Sequence, residues 1–323
     1  MDDINESDCC GNGCANCVLD IKPDKSLKAD KSGKENILHN YSTFFLINKT
    51  LHLPNLDTVW ELHFKSKLYG NEGFILDIHP GYHVMMRKAL TAGAKKVNEN
   101  DVELRQKYLL RPYSPYWWDD VVMEFKILVH LIPNGPMSNY IDKLQINDEV
   151  EFRGPIGTFK HRGDTNGEKC LLILSQGVAV APVIAIINDI LNNEDDMTRI
   201  VHIACYKDLN HLYFRDKLYN FTKYWNYKNY IFLSRQICCS KKCSENAKCL
   251  EICPDFKTKL KYKENIKPLR LSSLELLNIV SHINCKKENT FITLAGTGKF
   301  QNDFKDLLQS ENYGFLEDKI YLL

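Results

Sequence analysis

Arg111-Pro112-Tyr113-Ser114-Pro115 is the stretch of this 323-residue chain whose reading decides the fold. Its two prolines keep the backbone extended, and alternate residues of an extended segment share a face, so Arg111 and Tyr113 can address one ligand together. Arg offers a planar fork for two phosphate oxygens, Tyr a flat ring, and Ser114 a small hydroxyl beside it. Those three groups suit a dinucleotide with a planar ring system, of which a flavin is the type. The same letters in an ordinary strand are an exposed Arg next to a packed Tyr.

The neighbouring sequence favours the first reading. From Met123 to Leu131 apolar and polar residues alternate, Pro133-Asn134-Gly135 turns the chain, and Pro136-Met137-Ser138-Asn139-Tyr140 opens a helix whose free backbone donors can hold a phosphate,. Asp148 to Arg153 reads as a further strand and Gly154-Pro155-Ile156-Gly157 as a tight turn,. Upstream, Phe44 to Ile47, Val59 to Phe64, Phe74 to Ile78 and His83 to Arg87 are short apolar segments between turn formers. Such spacing predicts an antiparallel barrel or sandwich.

A different rhythm follows. Cys170 to Leu174 is a fully apolar strand, Ser175-Gln176-Gly177 a turn, and Val183 to Leu191 a helical run. Arg199 to Cys205, Asn229 to Ser234, Thr290 to Leu294 and Lys319 to Leu323 are four more strands. Helical patterns at Leu212 to Trp225, Ser272 to His282 and Phe300 to Gln309 separate most of them. This alternation predicts a doubly wound parallel sheet with its ligand at the carboxyl ends of the strands, at Gly177 to Pro182 and Ala295 to Gly298.

In order and spacing these elements resemble the NADH-cytochrome b5 reductase family of the ferredoxin reductase-like superfamily, in which Arg-x-Tyr-[Ser/Thr], Gly-x-Met-Ser and Gly-Pro-x-Gly follow one another. The resemblance implies a β plus α/β architecture: an antiparallel FAD-binding β-barrel at 38–160, then a doubly wound parallel-sheet NAD(P)H-binding domain at 161–323 with a Cys/Lys-rich insertion at 235–260. It implies NADH as electron donor, FAD as cofactor and a one-electron acceptor such as cytochrome b5. A flavin reductase for another acceptor and a flavoprotein scaffold with weak or lost turnover are the alternatives.

By the same resemblance Arg111, Pro112, Tyr113 and Ser114 hold FAD, with Tyr113 against the ring and Ser114 at its reactive edge as the catalytic pair. Pro136, Met137 and Ser138 hold its phosphate, and Ala181 approaches the ring where the family often has Thr. His130 and Ile132 fall where the family has Lys and Tyr. Gly177, Val178, Ala179, Gly296 and Thr297 are the nicotinamide loops, with two departures. Ala179 replaces a glycine, where a methyl would push phosphates outward or forbid a positive φ, and Ala295 replaces a cysteine. The family's NADH-favouring acidic position falls on His211, and Lys207 and Arg215 are the cations available for a 2′-phosphate.

Composition agrees with two domains. The chain is 44% hydrophobic, and 42 Lys and Arg against 41 Asp and Glu give a net charge of +1, which offers no support for nucleic-acid binding,. Arg87-Lys88 with Lys95-Lys96, or Lys257 to Lys267, are basic runs that can meet an acidic electron carrier or serve as solvated faces. The acidic start lacks a signal peptide's basic and apolar regions, and no apolar run is long enough to span a bilayer. A cytoplasmic protein is expected, held at a membrane only through a partner.

Cysteine sets two further expectations. Cys9, Cys10, Cys14 and Cys17 lie within nine residues in the segment 1–37, and the resemblance extends to a short cysteine-rich region that precedes some reductases of this kind. Metal binding, a redox role for Cys14 and Cys17, and an unspecific tail all fit the spacing. Cys238, Cys239, Cys243, Cys249 and Cys253 lie in the insertion, where a metal site or a thiol-bearing loop would fit,.

Overall fold

A computed structural model describes residues 33–90, 108–161, 163–237, 253–283 and 285–323. Contacts divide them into two compact units, with the main break between Thr158 and Phe159. The first holds β1 (Glu35–Asn36), β2 (Ser42–Leu51), β3 (Val59–Ser66), β4 (Phe74–Ile75), β5 (His83–Ala89), β6 (Tyr108–Tyr113), β7 (Pro115–Asp119), β8 (Glu124–His130), α1 (Pro136–Lys143) and β9 (Glu149–Ile156).

Seven of these strands form one antiparallel sheet in the order β6-β5-β9-β2-β3-β8-β7. Residues that alternate inward along β2, β3, β8 and β9 bring Phe44, Phe64, Phe125 and Phe152 together in its core, all fully buried,. Their ring centroids lie 4.8 to 5.6 Å apart, mostly edge to face,. The two ends of the strand order explain the sheet's shape. β6 and β7 are its opposite edges, yet the chain passes from one to the other across Ser114 alone. The sheet must therefore curl until its edges meet, as a barrel does. Pro112 and Pro115 lack an N–H on either side of that point, and β6 and β7 share no ladder,.

α1 lies against β6 and buries Met137 and Ile141. Lys49 holds its far end, donating from Nζ to the carbonyls of Ile141, Asp142 and Leu144 at 3.0, 2.6 and 3.2 Å,.

The second unit is a six-stranded parallel sheet, β10 (Cys170–Gln176), β11 (Arg199–Tyr206), β12 (Tyr227–Leu233), β13 (Ile266–Lys267), β14 (Thr290–Ala295) and β15 (Ile320–Leu322), in the order β13-β12-β11-β10-β14-β15. Its helices are α2 (Val180–Asn192), α3 (Arg215–Phe221), α4 (Pro254–Lys257), α5 (Ser273–Ser281) and α6 (Gly298–Gln309). Leu172, Leu174, Ile203, Phe232, Ile292 and Leu294 form one face, packed with Leu276, Ile279, Phe300 and Leu308 of α5 and α6. α2, ten of whose residues are buried, covers the other,. From β10 the chain winds outward through β11, β12 and β13, then returns to the other side of β10 as β14 and β15. The reversal leaves a crevice at the carboxyl ends of β10 and β14.

Several expected boundaries move. Gly154 to Ile156 continue β9 rather than turning, because the register between β5 and β9 shifts at His83/Met85 and absorbs the irregular residues,. Ser175 and Gln176 extend β10, paired with Ala204 and Cys205 of β11. The helix expected at Leu212 to Trp225 is confined to Arg215–Phe221, since Phe214 takes a left-handed conformation (φ 56°) before it,. The helix expected at Val183 starts at Val180. A sixth strand, β13, joins the five expected.

A buried polar chain crosses the second sheet. Ser175 Oγ lies 2.8 Å from His202 Nε2, and His202 Nδ1 lies 3.0 Å from the Tyr227 hydroxyl. Burial pushes His202 down to about 3, against about 6.5 in an unfolded chain. The unfolded state therefore binds the proton first, so this contribution to stability is complete above pH 6.5 and is lost as pH falls toward 3,. We expect urea unfolding of a His202→Gln variant to show a shallower loss of stability between pH 7 and 5 than the parent, by roughly 1 kcal/mol per pH unit. Parallel pH profiles for the two proteins would contradict this.

Candidate functional site

Cross-strand pairing fixes which way the Arg111 to Tyr113 segment faces. Arg111 pairs with Met86 and Tyr113 with Val84, and both of those partners are core residues, so Arg111 and Tyr113 share the inner face of β6,. One guanidinium nitrogen of Arg111 donates to the Leu110 carbonyl at 2.7 Å, which anchors the side chain. Burial pushes the Tyr113 phenol above its ordinary range while the Arg111 charge pulls it back. Tyr113 is thus protonated at neutral pH and presents an uncharged ring. Ser114 is half-buried at the passage from β6 to β7.

The start of α1 adds backbone donors. No side chain caps it and Pro136 occupies its first turn, so the N–H groups of Met137 and Ser138 have no acceptor within the helix,. The Ser138 hydroxyl accepts from the Ile132 N–H at 2.9 Å and keeps its own proton to donate. A Cβ on Gly135 would stand 3.1 Å from both Ile132 O and Ser138 Oγ, so the turn closes tightly because the residue is glycine. His130 and Ile132 are exposed at the end of β8 and just beyond it. An arginine fork, a neutral ring and open helix donors are what a pyrophosphate-bearing, planar cofactor requires, so the residues present fit FAD.

In the second unit, the loops after β10 and β14 stand side by side. Ser175 pairs with Ala295, and Gln176 Oε1 accepts from the Thr297 N–H at 3.3 Å and from its hydroxyl at 3.1 Å. Sequence reading did not single out Gln176, whose side chain joins the two loops. Gly177 has φ +58°, a conformation that favours glycine,. Ala179 has φ −68°, so its methyl group forbids nothing the backbone needs. Val178 and Ala179 lead into α2, which has neither a side-chain cap nor an acidic residue in its first turn and so can receive an anion,. Ala181 and Ala295 are buried, while Gly296 and Thr297 reach the surface.

A cavity of about 410 Å³ opens at the carboxyl ends of β11 and β12, lined by Asp208, Leu209, Asn210, Arg235, Gln236, Ile237 and Lys259. Asp208 Oδ1 is 2.7 Å from His211 Nδ1 and accepts from the Asn210 N–H at 2.9 Å. A carboxylate thus stands three residues before His211, in contact with its ring. Arg215, counted above among cations for a 2′-phosphate, is committed elsewhere. It pairs with Glu264 at 2.8 and 2.5 Å and donates to the Lys259 carbonyl.

The basic runs are also largely engaged. Arg87 makes two 2.8 Å bonds to Glu151 and stacks on Tyr41 and Tyr108. Lys261 pairs with Asp216, and Lys267 lies 2.5 Å from Glu275. Lys95 and Lys96, the N-terminal cysteines 9, 10, 14 and 17, and cysteines 238, 239, 243 and 249 lie outside the described residues. Cys253 is buried, and no group of three His, Cys, Asp or Glu among the described residues is arranged to hold a metal ion. No helix among them is long and apolar enough to cross a membrane.

Comparison with known proteins follows the same division. Residues 64–161 match the family described as the oxidoreductase FAD-binding domain. The chain is 24% identical to an NADH-cytochrome b5 reductase-like protein of Mus musculus over 98% of its own length and 92% of the relative's. It is 28% identical to one of Homo sapiens over 71% of each. The cytochrome b5 reductase domain of Ulva prolifera nitrate reductase has the same fold, with a TM-score of 0.60 at 17% identity, over 88% of this chain and 98% of that one.

The loop after β14 gives a direct check on this geometry. A Cβ at Gly296 would meet the Phe300 ring at 2.6 Å and Gln176 Cβ at 3.1 Å, whereas Gly298 has nothing within 4 Å. Gly296→Ala should cost about 1–3 kcal/mol in urea unfolding, and Gly298→Ala no more than about 0.5 kcal/mol. Equal effects of the two substitutions would contradict the packing described.

Proposed function

We propose that this chain, an FAD-binding oxidoreductase of the cytochrome b5 reductase and ferredoxin reductase family, takes electrons from NADH and passes them through FAD to a one-electron acceptor such as cytochrome b5. The observation that carries the reading is the joint placement of Arg111 and Tyr113 on one face of β6, the strand against which α1, uncapped at its start, lies. When bound, FAD supplies the change from two-electron to one-electron transfer.

The residues divide the work by their chemistry. Arg111 pairs its fork with the pyrophosphate, and Met137 and Ser138 add backbone and hydroxyl donors to the same charge. Pro112 and Pro136 hold these segments in their extended and helix-opening conformations. Tyr113, protonated, gives the ring system an apolar surface without adding charge. Ser114 offers its hydroxyl at the ring's edge, and His130 lies at the end of β8. In the second unit Gly177, Val178 and Ala179 offer backbone to the donor's phosphates, and Gly296 and Thr297 shape the neighbouring loop.

NADH is the preferred donor on this reading. The Asp208 carboxylate suits two ribose hydroxyls and repels a 2′-phosphate, and Arg215 is held away by Glu264,.

Replacing Arg111 by Ala is expected to weaken FAD binding by roughly 10- to 100-fold, measured by fluorescence quenching of added FAD, with the circular dichroism spectrum unchanged. Unaltered affinity would remove Arg111 from the site. The parent should also turn over NADH with a higher kcat/KM than NADPH, and an Asp208→Asn variant should narrow that ratio. A parent that prefers NADPH would overturn the assignment of Asp208.

A further inference from the structure

Cys170 and Cys285 lie far apart in sequence and together in the fold, at the amino ends of the strands whose carboxyl ends carry Gln176 and Ala295. Cys170 begins β10 and is buried, in register with Thr290 of β14 and Arg199 of β11. Cys285 stands five residues before β14 and is half-buried, with its sulfur 2.8 Å from the Glu168 carbonyl, two residues from Cys170. That contact sets the Cys285 sulfur against the residues that lead into Cys170, and neither thiol is in a disulfide.

We propose that Cys170 and Cys285 form a redox-active pair, oxidised by a hydroperoxide to a disulfide that joins β10 to the segment entering β14. The asymmetry in exposure sets the order of events. Cys285, the partner open to solvent, attacks one peroxide oxygen. An S–O bond forms, the O–O bond breaks, and the departing oxygen leaves as water with the thiol proton. Cys170 then attacks the Cys285 sulfur, so that the S–S bond forms, the S–O bond breaks, and the hydroxyl departs as a second water with the Cys170 proton. Two thiols lose two electrons in all, and hydrogen peroxide is reduced to two waters.

Exposure singles out Cys285 as the attacking group. Burial pushes its thiol up and that of Cys170 up to about 12, the Arg199 charge pulls both back, and the Cys285 thiol donates to the Glu168 carbonyl. The pair therefore reacts slowly at neutral pH and faster as pH rises, responding to sustained rather than brief peroxide exposure. The bridge closes a loop of more than a hundred residues, long enough to restrict the unfolded chain strongly.

The full-length protein, treated with hydrogen peroxide, alkylated and digested with trypsin without reduction, tests this directly. Cys170 follows Lys169 and Cys285 precedes Lys286, so the two thiols fall in separate tryptic peptides. The expected product is one cross-linked species containing both, reversed by dithiothreitol, formed faster at pH 8.5 than at pH 7, and accompanied by a rise of roughly 5–10 °C in unfolding temperature. In a Cys170→Ala variant, dimedone should capture a sulfenic acid on Cys285. In a Cys285→Ser variant, Cys170 should remain reduced. The proposal is overturned if oxidised parent protein carries over-oxidised Cys285 with Cys170 still alkylable, or if each thiol is found bridged only to another cysteine.

Discussion

Closure of the first sheet at Ser114 is the constraint on which the rest of this structure depends. Tyr113 and Pro115 stand on opposite edges of a seven-stranded sheet and are separated by one residue, so the sheet has to curl. Curling encloses the four phenylalanine rings that stabilise the unit, each worth about 3–5 kcal/mol on truncation. It also leaves the barrel's edges meeting without a ladder where two prolines remove donors. Arg111 and Tyr113 are held on the inner face of the last strand before that gap. The feature that shapes the fold is also the one that carries the site.

The second sheet obeys an equivalent rule. A parallel sheet that winds outward from its centre in one direction and then the other must open where the direction reverses, between β10 and β14,. Gln176 bridges the loops there with two hydrogen bonds from Thr297, and the close approach of Gly296 to the Phe300 ring fixes how the second loop enters α6. Ala179 has a negative φ, −68°, so its departure from glycine costs the backbone nothing.

Much of this was legible in the sequence because the relevant signals are local. The alternation at Val59 to Phe64 and Met123 to Leu131 reports a sheet with one buried face, and the unbroken apolar run at Cys170 to Leu174 reports a strand buried on both. The failures were also physical. Gly154-Pro155 reads as a turn, but a register shift on the neighbouring strand kept it in the sheet. Ser175 and Gln176 are polar letters that suggest a loop, yet Ser175 is buried with His202, 27 residues on, as its hydrogen-bond partner. β13 has two residues, too few for any period to show. The pairing of Asp208 with His211 and the contact of Cys285 with the Glu168 carbonyl depend on loop conformation and strand order, which no single stretch of sequence states.

The central claim is that Arg111, Tyr113, Ser114 and the start of α1 hold a flavin that NADH can reduce. Anaerobic titration of the purified, FAD-loaded protein with NADH measures this most directly. The account predicts a yellow protein whose visible flavin absorbance bleaches stoichiometrically as NADH is added. A protein that takes up no FAD, or a yellow one that NADH leaves unbleached, would contradict it.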